Sequence, residues 1–312
     1  MPNFPWEEQF MSSVASFSEA GMAEAESSAL LREYIRLSHI TPLPPILDFE
    51  NHPKLLDGSP FLEPDEKIYD LMNAIFRPLL SKFRLEGAEN FAKVIPYLGT
   101  TGVTIVENHL SLFDATVTSL LLEWQPDFYE YARKIFFVTG RLVFTSDFTR
   151  VAGRAFRTML VASPRDMAEN ESIRRELTRL NLRSYKEVKE RQKKGEPLVL
   201  YPEGTRSRSG EMLPFHGALY SYLDGTVVLP VAVEGPEKIL HSNSFRFGFT
   251  EGAMRLGEPV YVGAAASAPA GIRNLEIERF PKETRKQDVM DYFGRQVASM
   301  LPAAMRGHYA SA

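Results

Sequence analysis

The chain has 312 residues, no cysteine, and 36 basic residues against 40 acidic ones, a formal net charge of −4. Without cysteine it has no disulfide framework, zinc ribbon or thiolate nucleophile, and the near-balance of charge gives no global pull toward nucleic acid. Hydrophobic residues at 44% and charged residues at 24% are those of a globular chain rather than a disordered one.

The start, MPNFPWEEQF, lacks the basic-then-apolar order of a secretory signal, and its glutamates argue against a transit peptide. No window offers the roughly 20 predominantly apolar residues of a spanning helix. The expectation is a soluble cytoplasmic protein, with peripheral contact at an anionic membrane surface as the alternative. Up to about residue 85 the pattern is helical, in EAGMAEAESSALLREYIRL and again in DEKIYDLMNAIFRPLLSKF. In the second patch Ile68, Leu71, Met72 and Ile75 form an apolar stripe at helical spacing. Trp6 and Phe10 read as an apolar anchor for these helices. Between the patches the proline-rich TPLPPILDFENHP predicts an extended connection.

From about residue 86 short β-rich runs alternate with amphipathic segments. Strands are predicted at Val103–Glu107, Ile135–Val138, Met159–Ala162, Leu198–Tyr201, Val227–Val233 and Val260–Val262, and helices beginning near Ser111, Ser172, Phe215 and Thr284. This alternation predicts an α/β fold, a mixed sheet flanked by helices, with a smaller N-terminal helical domain. The boundaries read 1–85 for the helical domain and 86–312 for the α/β domain. Arg174–Lys194 holds nine basic and three acidic residues. It reads either as a solvated helix face or as a docking surface for an acidic partner or an anionic membrane.

Two segments carry chemistry. In ENHLSLFDA, His109 and Asp114 stand five apart, which on a continuous helix leaves their side chains roughly 140° apart. They meet only if the backbone breaks between them, with His109 on the turn after a strand and Asp114 in the first helical turn, where Ser111 is a plausible N-cap. A histidine so held keeps one ring nitrogen as a donor and the other as a base toward a hydroxyl. In PLVLYPEGTRSRSG a strand runs into a turn at Pro202 and Gly204 and then presents Arg206 and Arg208, whose planar charged forks suit phosphate. Thr205 and Ser207 add hydroxyl donors, and Gly204 admits an anion close to the backbone. It is not a P-loop, because no GK[ST] follows. His216, in LPFHGALY, reads as a packing or capping residue rather than a second base. No metal constellation stands out.

NHxxxxD followed about ninety residues later by PEGTRS, each after a strand, resembles the glycerolipid acyltransferase superfamily, which includes glycerol-3-phosphate and lysophosphatidate acyltransferases. VVLPVAVEG, with Pro230 among apolar residues, is similar to that family's last block, and FVTGRLVFTS to its second, which puts Arg141 near the site. The helical front and the segment LVASPRDMAENESIRRELTRLNLRSYKEV resemble the soluble glycerol-3-phosphate acyltransferases of plastids and some bacteria. That resemblance implies His109 and Asp114 as catalytic residues, Arg165, Arg206 and Arg208 lining a glycerol-phosphate pocket, and Glu203, Gly204 and Thr205 shaping it. It also implies transfer of an acyl group from acyl carrier protein or acyl-CoA, as co-substrate, to the sn-1 hydroxyl of glycerol 3-phosphate, with no cofactor. Two departures are visible. Arg165-Asp166 stands where the soluble group has Lys-His, and PEGTRS is the form of the wider, often membrane-attached branch. A lysophosphatidate or other lysolipid acceptor is the first alternative, a different acyl acceptor such as an amine-bearing lipid the second, and a catalytically silent lipid- or carrier-binding module the third.

Overall fold

The computed structural model describes residues 6–48, 58–240 and 245–310. Among them are ten strands: β1 (Phe61–Leu62), β2 (Phe83–Glu86), β3 (Val103–Glu107), β4 (Phe136–Gly140), β5 (Arg157–Val161), β6 (Leu198–Leu200), β7 (Thr226–Glu234), β8 (Gly252–Leu256), β9 (Val260–Val262) and β10 (Arg273–Leu275). With the helices between them they make an α/β fold with parallel and antiparallel pairings and helices at the N-terminal end, as the sequence predicts. The chain divides into two compact units.

The first unit draws on Met1–Lys82, Phe137–Glu187 and Glu237–Glu251. Its front holds helices Trp6–Met11, Ser13–Glu19, Glu24–Ile40 and Glu66–Leu79. The last begins where the Asp65 carboxylate accepts hydrogen bonds from the Lys67 and Ile68 amides, and it buries Ile68, Leu71, Met72 and Ile75. Pro45–Leu47 forms one short 3-10 turn in the proline-rich connection, and 49–53 of that connection lies outside the described residues. Trp6 and Phe10 pack edge-to-face against Phe148. Phe10 also meets Phe247, and the buried Tyr34 hydroxyl donates to the Phe148 carbonyl at 2.6 Å. These rings are the anchor expected of the N-terminal residues. A second apolar cluster joins Ile46, Leu47, Phe144, Leu160, Leu177 and Leu180, and β1 pairs antiparallel with β5.

The second unit, Phe83–Phe136, Val188–Pro236 and Gly252–Ala312, is built on the strand order β6-β3-β7-β8-β2. β3 lies between β6 and β7, parallel to both, with Val106 beside Leu200 on one side and Pro230 on the other. A strand covered on both faces reads as an unbroken apolar run, and every residue of β3 is buried. β7 pairs antiparallel with β9 through Thr226–Val228 and with β8 through Val231–Glu234. Pro230 stands in the break between those two partners, where its missing N–H removes nothing from either ladder. Helix Asp114–Glu123 follows β3 and is buried almost throughout, its Asp, Thr, Ser and Glu residues included. Among the described residues no helix is long and apolar enough to cross a membrane.

Candidate active site

Because β3 and β6 are parallel neighbours, the segments that follow them leave the same end of the sheet. The carboxyl ends of parallel strands are where α/β folds collect ligand-binding loops. ENHLSLFDA leaves β3 and YPEGTRS leaves β6, so two stretches about ninety residues apart meet at this edge.

The backbone breaks between His109 and Asp114 as the spacing demands. His109 Nδ1 lies 2.8 Å from Asp114 Oδ2, and the same oxygen accepts from the Leu110 amide at 2.7 Å and the Ser111 amide at 2.9 Å. Ser111 is not the N-cap that the sequence suggested. The helix starts at Asp114, and Ser111 Oγ accepts from the Phe113 amide within the turn. The aspartate itself closes this turn, because a first-turn carboxylate both satisfies nearby amides and favours the helix dipole. Asp114 is 1% exposed and the imidazole 21% exposed, so the carboxylate is dry while the ring is reachable from solvent. With Nδ1 donating to the carboxylate, Nε2 presents its lone pair.

The loop after β6 holds the histidine backbone from both sides. Glu203 Oε1 accepts from the His109 amide at 2.8 Å, and the Ser207 amide donates to the His109 carbonyl at 2.8 Å. The other oxygen of Glu203 accepts from the Leu213 amide at 2.9 Å, so one buried carboxylate ties together three stretches of loop. The Tyr201 ring stacks on the imidazole with centroids 4.3 Å apart. Asn108, just before the histidine, exchanges two hydrogen bonds with the Val233 backbone, prolonging the β3–β7 pairing by one side-chain amide.

Burial pushes the Glu203 carboxyl up from 4.5 to about 7 despite its two amide donors, with the Asp114 charge adding to the rise. The folded protein therefore binds this proton more tightly than the unfolded chain does, and stability should fall as pH rises from about 4.5 to about 7, then level off. Denaturant unfolding at pH 5 and pH 7.5 checks this. The loss across that interval should be smaller in Glu203→Gln, whose side chain has no proton to release, and equal losses in the two proteins would refute the assignment.

Gly204 has φ +69, a left-handed backbone that favours glycine, and a Cβ there would sit tightly, 3.2 Å from the His216 ring. His216 is exposed and precedes the short 3-10 turn Gly217–Leu219 without a side-chain cap bond, and its amide donates to the Pro202 carbonyl. Thr205, Arg206 and Arg208 are exposed on the loop. Partial burial of its surroundings lowers the Arg206 pKa, with the Asp114 carboxylate acting in the opposite sense and Arg208 in the same sense. The Arg206 guanidinium therefore lies within electrostatic reach of the dyad carboxylate.

Seven of the nine residues singled out in the sequence, His109, Asp114, Glu203, Gly204, Thr205, Arg206 and Arg208, belong to the second unit. Arg141 and Arg165 belong to the first. Arg141 directly follows β4, and Arg165 is exposed and paired with Glu169 at 2.7 Å. Asp166 is buried in a capping box, accepting from the Ser163 amide at 2.8 Å and hydroxyl at 2.7 Å. Its carboxylate is thus engaged within its own helix turn. The basic segment forms helix Arg174–Lys193, in which Arg174, Arg175, Arg179, Lys186 and Lys193 are exposed, while Lys189 donates to the Tyr222 and Asp224 carbonyls.

Sequence reasoning missed Tyr201, the Ser207 amide and Glu107. The one available signal for Glu107 was a carboxylate ending an otherwise uncharged strand.

Residues 82–234 match the family model described as Acyltransferase. Among curated proteins none is significantly similar in sequence. Among solved structures, the 1-acyl-sn-glycerophosphate (LPA) acyltransferase PlsC from Thermotoga maritima aligns over 94% of this chain and 97% of its own, with 19% identity and a TM-score of 0.44. The matched stretch, residues 82–234, takes in the histidine, its aspartate and the arginine loop.

Proposed function

We propose that the protein transfers a fatty acyl group from a thioester, carried by acyl carrier protein or coenzyme A, to the sn-1 hydroxyl of glycerol 3-phosphate. The observation that carries this reading is a solvent-reachable imidazole, oriented by a buried carboxylate, whose backbone is held by the arginine loop itself. His109 Nε2 takes the hydroxyl proton as the oxygen attacks the thioester carbonyl, Asp114 stabilises the imidazolium, and the proton passes to the departing thiolate. No acyl-enzyme forms. Arg206, Arg208 and Thr205 hold the phosphate and present the hydroxyl. Positioning of this kind supplies the part of the acceleration that a base, typically worth about 10²–10⁴-fold, does not.

Arg206→Ala should raise the KM for the phosphate-bearing acceptor about tenfold or more, since a charge-assisted hydrogen bond contributes about 1.5–3 kcal/mol. Steady-state kinetics at varied acceptor measures it, and an unchanged KM would count against the clamp. The exposed basic residues of helix Arg174–Lys193 make a counterpart for an acidic carrier protein. Activity with that donor should then decline more steeply with salt than activity with the coenzyme A donor.

Radiolabelled acyl transfer, run side by side with glycerol 3-phosphate and lysophosphatidate and with both donors, tests the whole reading. Label should enter lysophosphatidate from glycerol 3-phosphate. Transfer confined to lysophosphatidate would establish the second reading, which the PEGTRS form of the loop favours. Specific binding of donor without transfer to either acceptor would make the chain a carrier-binding module.

A further inference from the structure

The His109–Asp114 pair has an unfilled side. Asp114 Oδ2 takes three donors, yet Oδ1 is buried with no hydrogen-bond partner among the described residues. Glu107, the last residue of β3, is in the same condition. Its Oε2 accepts from the Thr118 hydroxyl at 2.7 Å, while Oε1 is buried and has no partner among the described residues. Thr118 lies four residues after Asp114 on helix Asp114–Glu123, so both project from one face of that helix. The Glu107 carboxyl, bonded to Thr118, therefore sits about one helical turn from Asp114.

Buried oxygens of two carboxylates repel one another, and both would be left unsatisfied in the charged state. A single proton resolves both vacancies. We propose that Glu107 is a positioning residue that keeps its proton and donates it, through one internal water, toward Asp114 Oδ1. This fixes the second oxygen of the carboxylate that orients His109. The role rests on the acyl-transfer reading of that histidine.

The surroundings agree with a neutral acid. Glu107 is 0% exposed, and across the ladder on β7 it faces Val231. The charged and titratable groups near the pair are Asp114, His109, Tyr201, Glu203 and Arg206. Desolvation holds the Glu107 carboxyl well above the usual carboxylate range, and the Asp114 charge pushes the same way. Burial and the Asp114 charge push the Tyr201 phenol up as well. Leucine or valine would fill the end of β3 without the desolvation penalty of a carboxyl. A carboxyl here supplies what neither can, a donor toward Asp114 together with an acceptor for Thr118.

Glu107→Gln keeps one donor and one acceptor, whereas Glu107→Leu keeps neither. Glu107→Leu should lower kcat about tenfold with acceptor KM unchanged, and Glu107→Gln should recover the rate to within about threefold of the parent. Two spectroscopic readouts stand apart from activity. The infrared difference between parent and Glu107→Gln at pH 7 should contain a protonated-carboxyl band. The ¹⁵N signals of the His109 imidazole should move in Glu107→Leu and stay in place in Glu107→Gln. Absence of the infrared band overturns the proposal even if Glu107→Leu does not fold. Imidazole signals unmoved in a folded Glu107→Leu, or a Glu107→Gln variant as slow as Glu107→Leu, overturn it as well. A parent protein that transfers acyl groups to no acceptor would instead refute the reading of His109, and the infrared and imidazole measurements would still decide the state of Glu107.

Discussion

His109→Ala should reduce acyl transfer by about 10²–10⁴-fold, the range set by loss of a general base, while leaving the protein folded. The fold should survive because the loops hold the backbone of residue 109, not its ring. Both the amide bond to Glu203 and the carbonyl bond from Ser207 persist with alanine at this position. The lost contacts are the stack on Tyr201 and the bond to Asp114. Turnover by pure protein, read beside a thermal melt, makes the test. A folded variant with more than a few per cent of the parent rate would remove His109 from the mechanism.

Asp114→Ala should be as damaging to rate and far more damaging to stability. The Asp114 side chain is 1% exposed, and its Oδ2 accepts two backbone amides besides the imidazole. Alanine strands both amides in a buried turn at about 1–3 kcal/mol each, so a loss of about 2–6 kcal/mol is expected in denaturant unfolding. Asp114→Asn separates the two duties. The Leu110 and Ser111 amides hold an oxygen, not an NH₂ group, at that position, so the asparagine keeps the turn and still accepts from His109 Nδ1. It lacks the negative charge that steadies an imidazolium. Stability near the parent with a rate well below it is the expected result, since the charge-dependent part of the base's contribution is lost. Asparagine as destabilising as alanine would mean that the carboxylate charge, rather than its acceptor oxygen, holds the turn.

The strands that were legible are those made of short, uninterrupted apolar runs. β3 and β9 have the predicted ends, and β7 extends one residue beyond its prediction at each end, because parallel central strands and a buried edge demand continuous apolar runs. β2, β8 and β10 escaped notice because they carry charged residues whose partners are distant in sequence. Arg255 on β8 binds Glu86 on β2 and Glu234 on β7, an arrangement that no local window reveals. β1 has two residues, too few for any period to register. The texture of the first 85 residues announces helices but not which later segments pack with them. Their compact unit also takes in Phe137–Glu187 and Glu237–Glu251, recruited by aromatic contacts such as Phe10 with Phe148 and Phe247.

The site was partly legible for a related reason. Residue types report what can react, so the imidazole, its carboxylate and the guanidinium loop stood out. Their supports are backbone amides and a stacked ring, which leave no mark in residue identity. Glu203 was legible as part of a motif and illegible as the group that holds the His109 amide, because that bond links residues 94 positions apart.

Glu203 and Ser207 grip residue 109 at its amide and its carbonyl, so the arginine loop and the imidazole form one mechanical body. A ligand that tugs on that loop also moves the reacting nitrogen. Efforts to retune the acceptor by redesigning residues 203–207 should therefore alter turnover along with selectivity.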